Sequence, residues 1–231
     1  MPIKNGDFIL LDYVLKIKDT GEIFDTTIEE EAKNANIHNP ENTYEPRLVV
    51  VGQGWVIKGI EEALIDMEEG GEKLIEIPPE KAFGERDPSK VRIIPAKELT
   101  KQGITPRPGA RIELGGAIAI IRSVGSGRVT IDFNHPLSGR TIIAKIIVRK
   151  ILTDTIEKIR ELIHMRIRGI PKEKFIISLI GNMISIEMPE ETFMSEDIRF
   201  AKKGIVKDIS KFFSDITSVQ FIETHNIKTT Q

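Results

Sequence analysis

Alternation opens the chain. Phe8, Leu10, Tyr13, Leu15 and Ile17 recur through residues 7–18 at the loose two-residue period of a strand. Asp19-Thr20-Gly21 reads as a turn, and residues 22–25 as the start of a second strand. Thr27-Ile28-Glu29-Glu30 has capping-box spacing and predicts a short helix to about Ala35. A polar loop covers 36–46, and 48–51 is a β-branched strand. Over 59–67 the period becomes helical, with Ile60, Ala63, Leu64 and Met67 on one face. Gly70 and Gly71 are candidates to end that helix, and 72–77 is a strand stopped by Pro78-Pro79.

From residue 85 the pattern changes. Pro88, Pro95, Pro106 and Pro108 punctuate short β runs at 111–114, 117–124 and 128–133. This unit is small for an independent core and is expected to lean on a neighbour or to move. Residues 141–152 form a strand so apolar that burial on both faces is expected, in the earlier sheet. In the last stretch Ile156, Ile159, Ile163 and Ile167 keep helical spacing, and 175–180 and 183–188 flank Gly181-Asn182 as a hairpin. Ser195-Glu196-Asp197 predicts a helix start with an N-cap and an acidic first turn. The apolar face of that helix is Ile198, Ala201, Ile205, Ile209 and Phe212, and Val219 and Phe221 mark a final strand. The order is α-β-β-α-β, and residues 229–231 are expected to fray.

Composition narrows the function classes. Hydrophobic residues make up 40% and charged residues 29%, which is a globular balance. The net charge of −2 supplies no general attraction to nucleic acid or to an acidic membrane. No cysteine is present, so disulfides and thiolate chemistry are excluded and a reducing compartment fits. Asp7 and Asp12 interrupt the first apolar stretch, which does not suit a secretory leader, and no apolar run is long enough to span a bilayer. The expected location is the cytoplasm.

The search for reactive groups ends without a dyad. Residues 52–60, GQGWVIKGI, look like a glycine-rich phosphate cradle, but Lys58 follows two aliphatics, no hydroxyl comes next, and Trp55 would crowd a pyrophosphate. The glycines read instead as turn formers leading into the helix. His38, His135, His164 and His225 are scattered without metal-ligand spacing, so structural or solvated roles and no metal or cofactor are expected. Asp7, Asp12, Asp25 and Asp132 lie in or near strands, where solvated or capping roles outweigh catalysis. Basic and acidic residues nearly balance after residue 153, so nucleic acid is not an expected partner. Apolar and aromatic residues at strand ends remain.

Those residues carry a resemblance. Tyr13, the stretch Gly21-Glu22-Ile23-Phe24-Asp25, residues 52–64 and Ala82-Phe83-Gly84 resemble, in order and spacing, the signature of FKBP-type peptidyl-prolyl isomerases. Val91-Arg92-Ile93-Ile94-Pro95 and Asn134-His135-Pro136-Leu137-Ser138-Gly139 are similar to the SlyD subgroup, in which an insert-in-flap domain interrupts the catalytic domain. The resemblance covers about residues 1–152, and the added C-terminal stretch is similar to a long archaeal branch. It implies an α+β fold: a twisted antiparallel sheet wrapped on one helix (1–84 plus 135–152), an inserted β-rich domain (85–134) and a separate C-terminal αββαβ domain (153–231).

It further implies a proline pocket of Tyr13, Phe24, Asp25, Val56, Ile57, Ile60 and Phe83. Phe83 stands where a tyrosine is common and Ala144 where an aromatic is usual; Trp55 is one residue that could fill the space at Ala144. In the insert, Ile93, Ile94, Ile118, Ile120 and Ile121 are implied to bind unfolded, proline-containing polypeptides. The expected activity is prolyl isomerisation with chaperone action, and a homodimer through 153–231 is expected from its exposed sheet edge. A non-enzymatic holdase on the same fold is the alternative.

Overall fold

The computed structural model describes residues 1–225. Strand β1 (Phe8–Ile17) pairs antiparallel along its length with β9 (Ile142–Leu152). Its other edge is shared by β3 (Arg47–Val50) on the first half and β2 (Ile23–Thr26) on the second. Strand β4 (Glu72–Ile77) closes the far side on β9. Helix α2 (Lys58–Leu64) presses Ile60 and Leu64 onto one face of this sheet, against Ile142, Ala144, Ile146 and Val148. The strand over 142–152 therefore joins the earlier sheet, as its composition predicts. The expected burial on both faces is not found: Ile143, Lys145 and Ile147 remain partly exposed, because α2 covers one face only.

Local signals yield to tertiary partners at several points. Helix α1 (Glu29–Asn34) starts after Ile28 without a side-chain cap. Thr27 is instead drawn to the sheet, where its hydroxyl donates to Asp12 Oδ1 at 2.7 Å and accepts from the Tyr13 N–H at 2.9 Å. A buried strand N–H without a partner costs more than a missing cap on a short exposed helix. Helix α2 ends at Leu64, short of 67, as Asp66 takes φ 64°. Gly70 and Gly71 do not end it. They join β4 to β9 through a Gly70 N–H to Val148 O bond of 2.8 Å and a Val148 N–H to Gly71 O bond of 2.9 Å.

Gly52 and Gly54 form the expected turn, at φ 84° and 69°. Gly59 does not. It lies inside α2, where a Cβ would overlap Ile77 Cγ2 and stand 3.0 Å from Cγ1.

The inserted segment folds as a four-stranded sheet, β5 (Val91–Pro95), β8 (Arg128–Asp132), β7 (Ala117–Gly125) and β6 (Arg111–Leu114) in spatial order, with helix α3 (Ala96–Lys101). Leu99, Ala119, Ile121, Val129 and Ile131 form its own small core. Its two connections run side by side, since Asn134 exchanges hydrogen bonds of 2.9 Å with the Asp87 backbone in both directions.

The C-terminal part contains α4 (Thr155–Arg166), β10 (Ile176–Ile180), β11 (Met183–Met188), α5 (Ile198–Phe212) and β12 (Ser218–Glu223). Central β11 pairs antiparallel with β10 and parallel with β12. Ser195 is not the N-cap of α5; Asp197 holds that position, no side chain caps it, and the first turn has no acidic residue. Phe212 packs edge-on against Phe8 at 5.3 Å and Trp55 at 5.9 Å, joining α5 to the first sheet. Residues 229–231 lie outside the described residues. No helix among the described residues is long and apolar enough to cross a membrane.

Replacing Gly59 sets two effects against each other. Alanine gains up to about 1 kcal/mol of helix propensity. The added methyl meets the branch carbons of fully buried Ile77, which have little freedom to move. Overpacking of this kind costs about 1–3 kcal/mol, so Gly59→Ala is expected to lower stability. Urea unfolding would show it as a lower midpoint at unchanged slope. An unchanged midpoint would mean that this close approach constrains nothing.

Candidate active site

Five separate elements contribute to one apolar cluster. Tyr13 comes from β1, Phe24 from β2, Val56 and Ile57 from the loop entering α2, Ile60 from the first turn of α2, and Phe83 from the segment after β4. Tyr13 and Ile60 belong to the buried cluster beneath α2, and Phe24, Val56, Ile57 and Phe83 pack on it half-buried. Phe24 and Phe83 meet edge to face, with centroids 5.8 Å apart. Such a constellation offers a greasy, partly open wall of aromatic and aliphatic groups with few polar interruptions.

The polar group facing this wall is the Tyr13 phenol. Its hydroxyl donates to Asp25 Oδ2 at 3.0 Å, and Arg47 Nη1 donates to it at 3.4 Å. Burial, reinforced by the negative Asp25, raises the Tyr13 pKa above the ordinary phenol value, although Arg47 pulls the other way. The phenol thus stays protonated through neutral pH. Asp25 itself is exposed and lies outside the apolar cluster.

Phe83 is held by the chain that returns from the insert. Its ring stacks on His135 with centroids 4.7 Å apart and planes 3° from parallel. Its carbonyl accepts from Ser138 Oγ at 3.2 Å, and the Gly139 N–H reaches Gly84 O at 2.9 Å. His135 is therefore an aromatic support beside the pocket. The sequence signal for it is the stretch Asn134-His135-Pro136, not metal-ligand spacing.

Other candidates lie elsewhere. Ala144 is fully buried between Leu15 and Ile75 on the neighbouring strands. Trp55 does not fill the space there: it packs with Phe8, Leu48 and Phe212 in a different cluster. Lys58 is exposed and pairs loosely with Glu62 at 3.9 Å. Asp12 pairs with Arg149 at 2.6 Å, and Asp132 with Arg86 at 2.7 Å and Arg122 at 3.0 Å, so both carboxylates are structural. Among the described residues no group of three His, Asp or Glu side chains is placed to hold a metal.

The five insert isoleucines separate. Ile93 is 65% exposed and Ile118 55%, and Ile120 is half-buried. Ile94 packs against the insert core. Ile121 departs from the surface expectation, because it is fully buried within that core and cannot touch a client while the insert is folded.

Comparison with known proteins agrees with this layout. A profile described as FKBP-type peptidyl-prolyl cis-trans isomerase matches residues 1–100, one described as FKBP26, IF domain matches 92–137, and one described as FKBP26_C-terminal matches 155–226. The chain is 42% identical over 149 residues to the short-type peptidyl-prolyl cis-trans isomerase of Methanocaldococcus jannaschii, covering 64% of this chain and 94% of the relative. It is 30% identical over 141 residues to a probable FKBP-type 16 kDa isomerase of Pseudomonas fluorescens, covering 58% and 92%. To the FKBP-type isomerase SlyD of Treponema pallidum it is 29% identical over 155 residues, covering 65% and 79%. With its N-terminal, inserted and C-terminal segments each finding a counterpart, the chain belongs to the FKBP-type peptidyl-prolyl cis-trans isomerase family.

Proposed function

We propose that the concavity formed by Tyr13, Phe24, Val56, Ile57, Ile60 and Phe83 isomerises X-Pro bonds in cytoplasmic polypeptides, and that the unit at 85–134 holds those polypeptides meanwhile. The observation that carries the first half is the convergence of these six side chains on one cluster around a single hydrogen-bonded phenol.

An X-Pro bond crosses a barrier of about 20 kcal/mol and exchanges in tens of seconds. Twisting removes amide resonance, which leaves the carbonyl less polar and the nitrogen more pyramidal. An apolar wall favours that state over a planar, solvated amide, which is differential binding of the transition state. The aromatic faces of Phe24 and Phe83 and the floor at Ile60 hold the proline ring while the carbonyl side turns. Ile57 is the N-cap residue of α2, and its N–H, outside the helical ladder, anchors a substrate carbonyl. Asp25, which fixes the Tyr13 hydroxyl, orients the polar face of the substrate. No proton transfer is needed, and the phenol stays protonated, so kcat/KM is flat from about pH 6 to about pH 9.

The full chain is expected to accelerate cis/trans exchange in a short proline peptide. Phe24→Ala and Ile57→Asp each lower kcat/KM about tenfold or more, a loss of about 1.4 kcal/mol of transition-state binding. Activity matching the unaltered chain in both variants would remove the pocket assignment. An inactive but refolding-competent chain would favour the non-enzymatic holdase.

The holding role rests on the outer face of the insert sheet. Ile93 pairs across β5 and β8 with Thr130, and Ile118 neighbours buried Ala119, so both isoleucines project away from the Leu99 core. Exposed aliphatics on the outer face of a sheet bind unfolded chain without reading its sequence. Because the two connections run side by side at the base, residues 86–132 can be replaced by a short linker. That deletion should spare turnover of short peptides and reduce acceleration of protein refolding. Equal loss of both activities, or of neither, contradicts the division of labour.

The chain pairs with a second copy through 153–231. Strand β10 is a sheet edge bearing Ile176 and Ile180, 61% and 59% exposed, and Phe200 on α5 is also exposed. Pairing would cover these groups and the unpaired edge together. Sedimentation of the full chain should give a dimer that Ile176→Lys/Ile180→Lys converts to monomer. A monomer before substitution ends the idea.

A further inference from the structure

Tyr13 and Asp25 also border a space outside the apolar cluster. Beyond them a cleft of about 890 Å³ runs between the first sheet and the C-terminal helices. Residues 41–48 and Trp55 line the near side, and α4, the turn after it and α5 line the far side. Its volume is near the upper end of the roughly 300–1,000 Å³ typical of ligand sites. Its lining is mainly polar and charged.

The lining holds five Lys or Arg and five acidic side chains, but they are unevenly placed. His164 Nε2 meets Glu45 Oε1 at 2.7 Å across the cleft. Arg166 grips Asp208 with two bonds, 2.7 and 2.9 Å. Glu161 is engaged by Lys172. Arg166 and Lys172 neutralise Asp208 and Glu161, whereas Glu45 has a histidine partner only. Arg47, Arg168, Lys207 and Lys211 make no ion pair among the described residues, and the acids without a Lys or Arg partner are Asp25, Glu41 and Glu45, all on the near side. Lys207 and Lys211 lie four residues apart on α5 and so project along one face. Arg47 stands next to the pocket itself, donating to the Tyr13 hydroxyl. Arg168, Lys207 and Lys211 thus make the far wall the basic one, while Arg47 stands among the acids of the near side.

We propose that this cleft is an extended substrate site that takes acidic residues flanking the proline of a bound polypeptide. The inference rests on the isomerase reading of the adjoining pocket. Guanidinium and ammonium groups in a concave site with protein walls concentrate their field on an entering carboxylate. An extended chain covers about 3.3 Å per residue, so residues a few places from the proline reach the far wall while the ring stays against Phe24 and Phe83. Nucleic acid is the poorer fit: Asp25, Glu41 and Glu45 line the same cleft and would oppose a continuous phosphate backbone.

Trp55, the single tryptophan, lines the cleft and reports binding directly. Three proline peptides differing only in flanking Glu, Ser or Lys pairs are titrated into the full chain by Trp55 fluorescence and then assayed for cis/trans exchange. The Glu peptide should bind about fivefold more tightly than the Ser peptide, and the Lys peptide more weakly, as a few partly exposed ion pairs allow. That preference should shrink in about 0.5 M salt. Lys207→Gln/Lys211→Gln should erase the preference, and Lys207→Glu/Lys211→Glu should reverse it. Equal binding of the Glu and Ser peptides, a preference surviving both variants, or an RNA oligonucleotide that outcompetes the Glu peptide each overturns the proposal. A failed isomerase reading looks different: cis/trans exchange is absent while the Trp55 titration still separates the three peptides.

Discussion

The close approach of α2 to the sheet at Gly59 fixes where the residues of the proposed pocket stand. The missing side chain lets the helix settle onto Ile77, which pairs with Ile142, which in turn pairs with Ile17. Three strands thus present one isoleucine row beneath the start of the helix. With α2 at that height, Ile60 is buried in the cluster and Ile57, the N-cap residue, packs half-buried on it, as the floor and rim of the proposed pocket. Tyr13 and Phe24 approach from β1 and β2, whose spacing from α2 is set through β9. A helix standing further off would widen the gap between Ile60 and the aromatic residues and admit water where a dry wall is needed.

The insert is attached on different physical terms. Asp132, at the end of β8, is fully buried. Burial opposes its charge, but bonds from the Asn134 N–H and amide, Arg122 and Arg86 outweigh that, so its carboxyl sits below the usual range. Arg86 belongs to the outgoing connection and Asn134 to the returning one, so one carboxylate fastens both. A buried charge holds its place only while its partners are complete. This makes the junction directional, and the same returning segment continues into His135 and Ser138, which support Phe83. The wall of the pocket and the root of the insert are therefore one piece of chain.

Elements whose signals are local were legible from the sequence. The strands at 7–18, 72–77 and 141–152 and the αββαβ order after residue 153 follow from periodicity alone, and the motif order places Tyr13, Phe24, Ile60 and Phe83 in company before any coordinates. What was hidden depends on distant partners. Thr27 has the pattern of a helix cap but serves Asp12 and Tyr13 of β1. Gly59 looks like a turn residue and is a contact residue, because only Ile77, remote in sequence, defines its role. Helix α3 was obscured by Pro95, which reads as a breaker and occupies its N-cap position. Trp55 sits in the middle of the pocket motif yet turns to Phe212, more than 150 positions on.

That turn of Trp55 bears on how polar selectivity and apolar catalysis coexist. A cation placed against the proline carbonyl would stabilise the planar amide, which is the more polar state, and so oppose the twist the pocket is meant to favour. Charge recognition has to lie away from the reacting bond. Here the aromatic seam of Trp55, Phe8 and Phe212 docks α5 on the first sheet, and α5 brings Lys207 and Lys211 to the far wall of a cleft that Tyr13 and Asp25 close at its near end. Arg47 alone reaches the boundary, and it meets the Tyr13 hydroxyl rather than the apolar wall. The C-terminal unit, on this reading, supplies the polar half of the substrate site without adding polarity to the half where the bond turns.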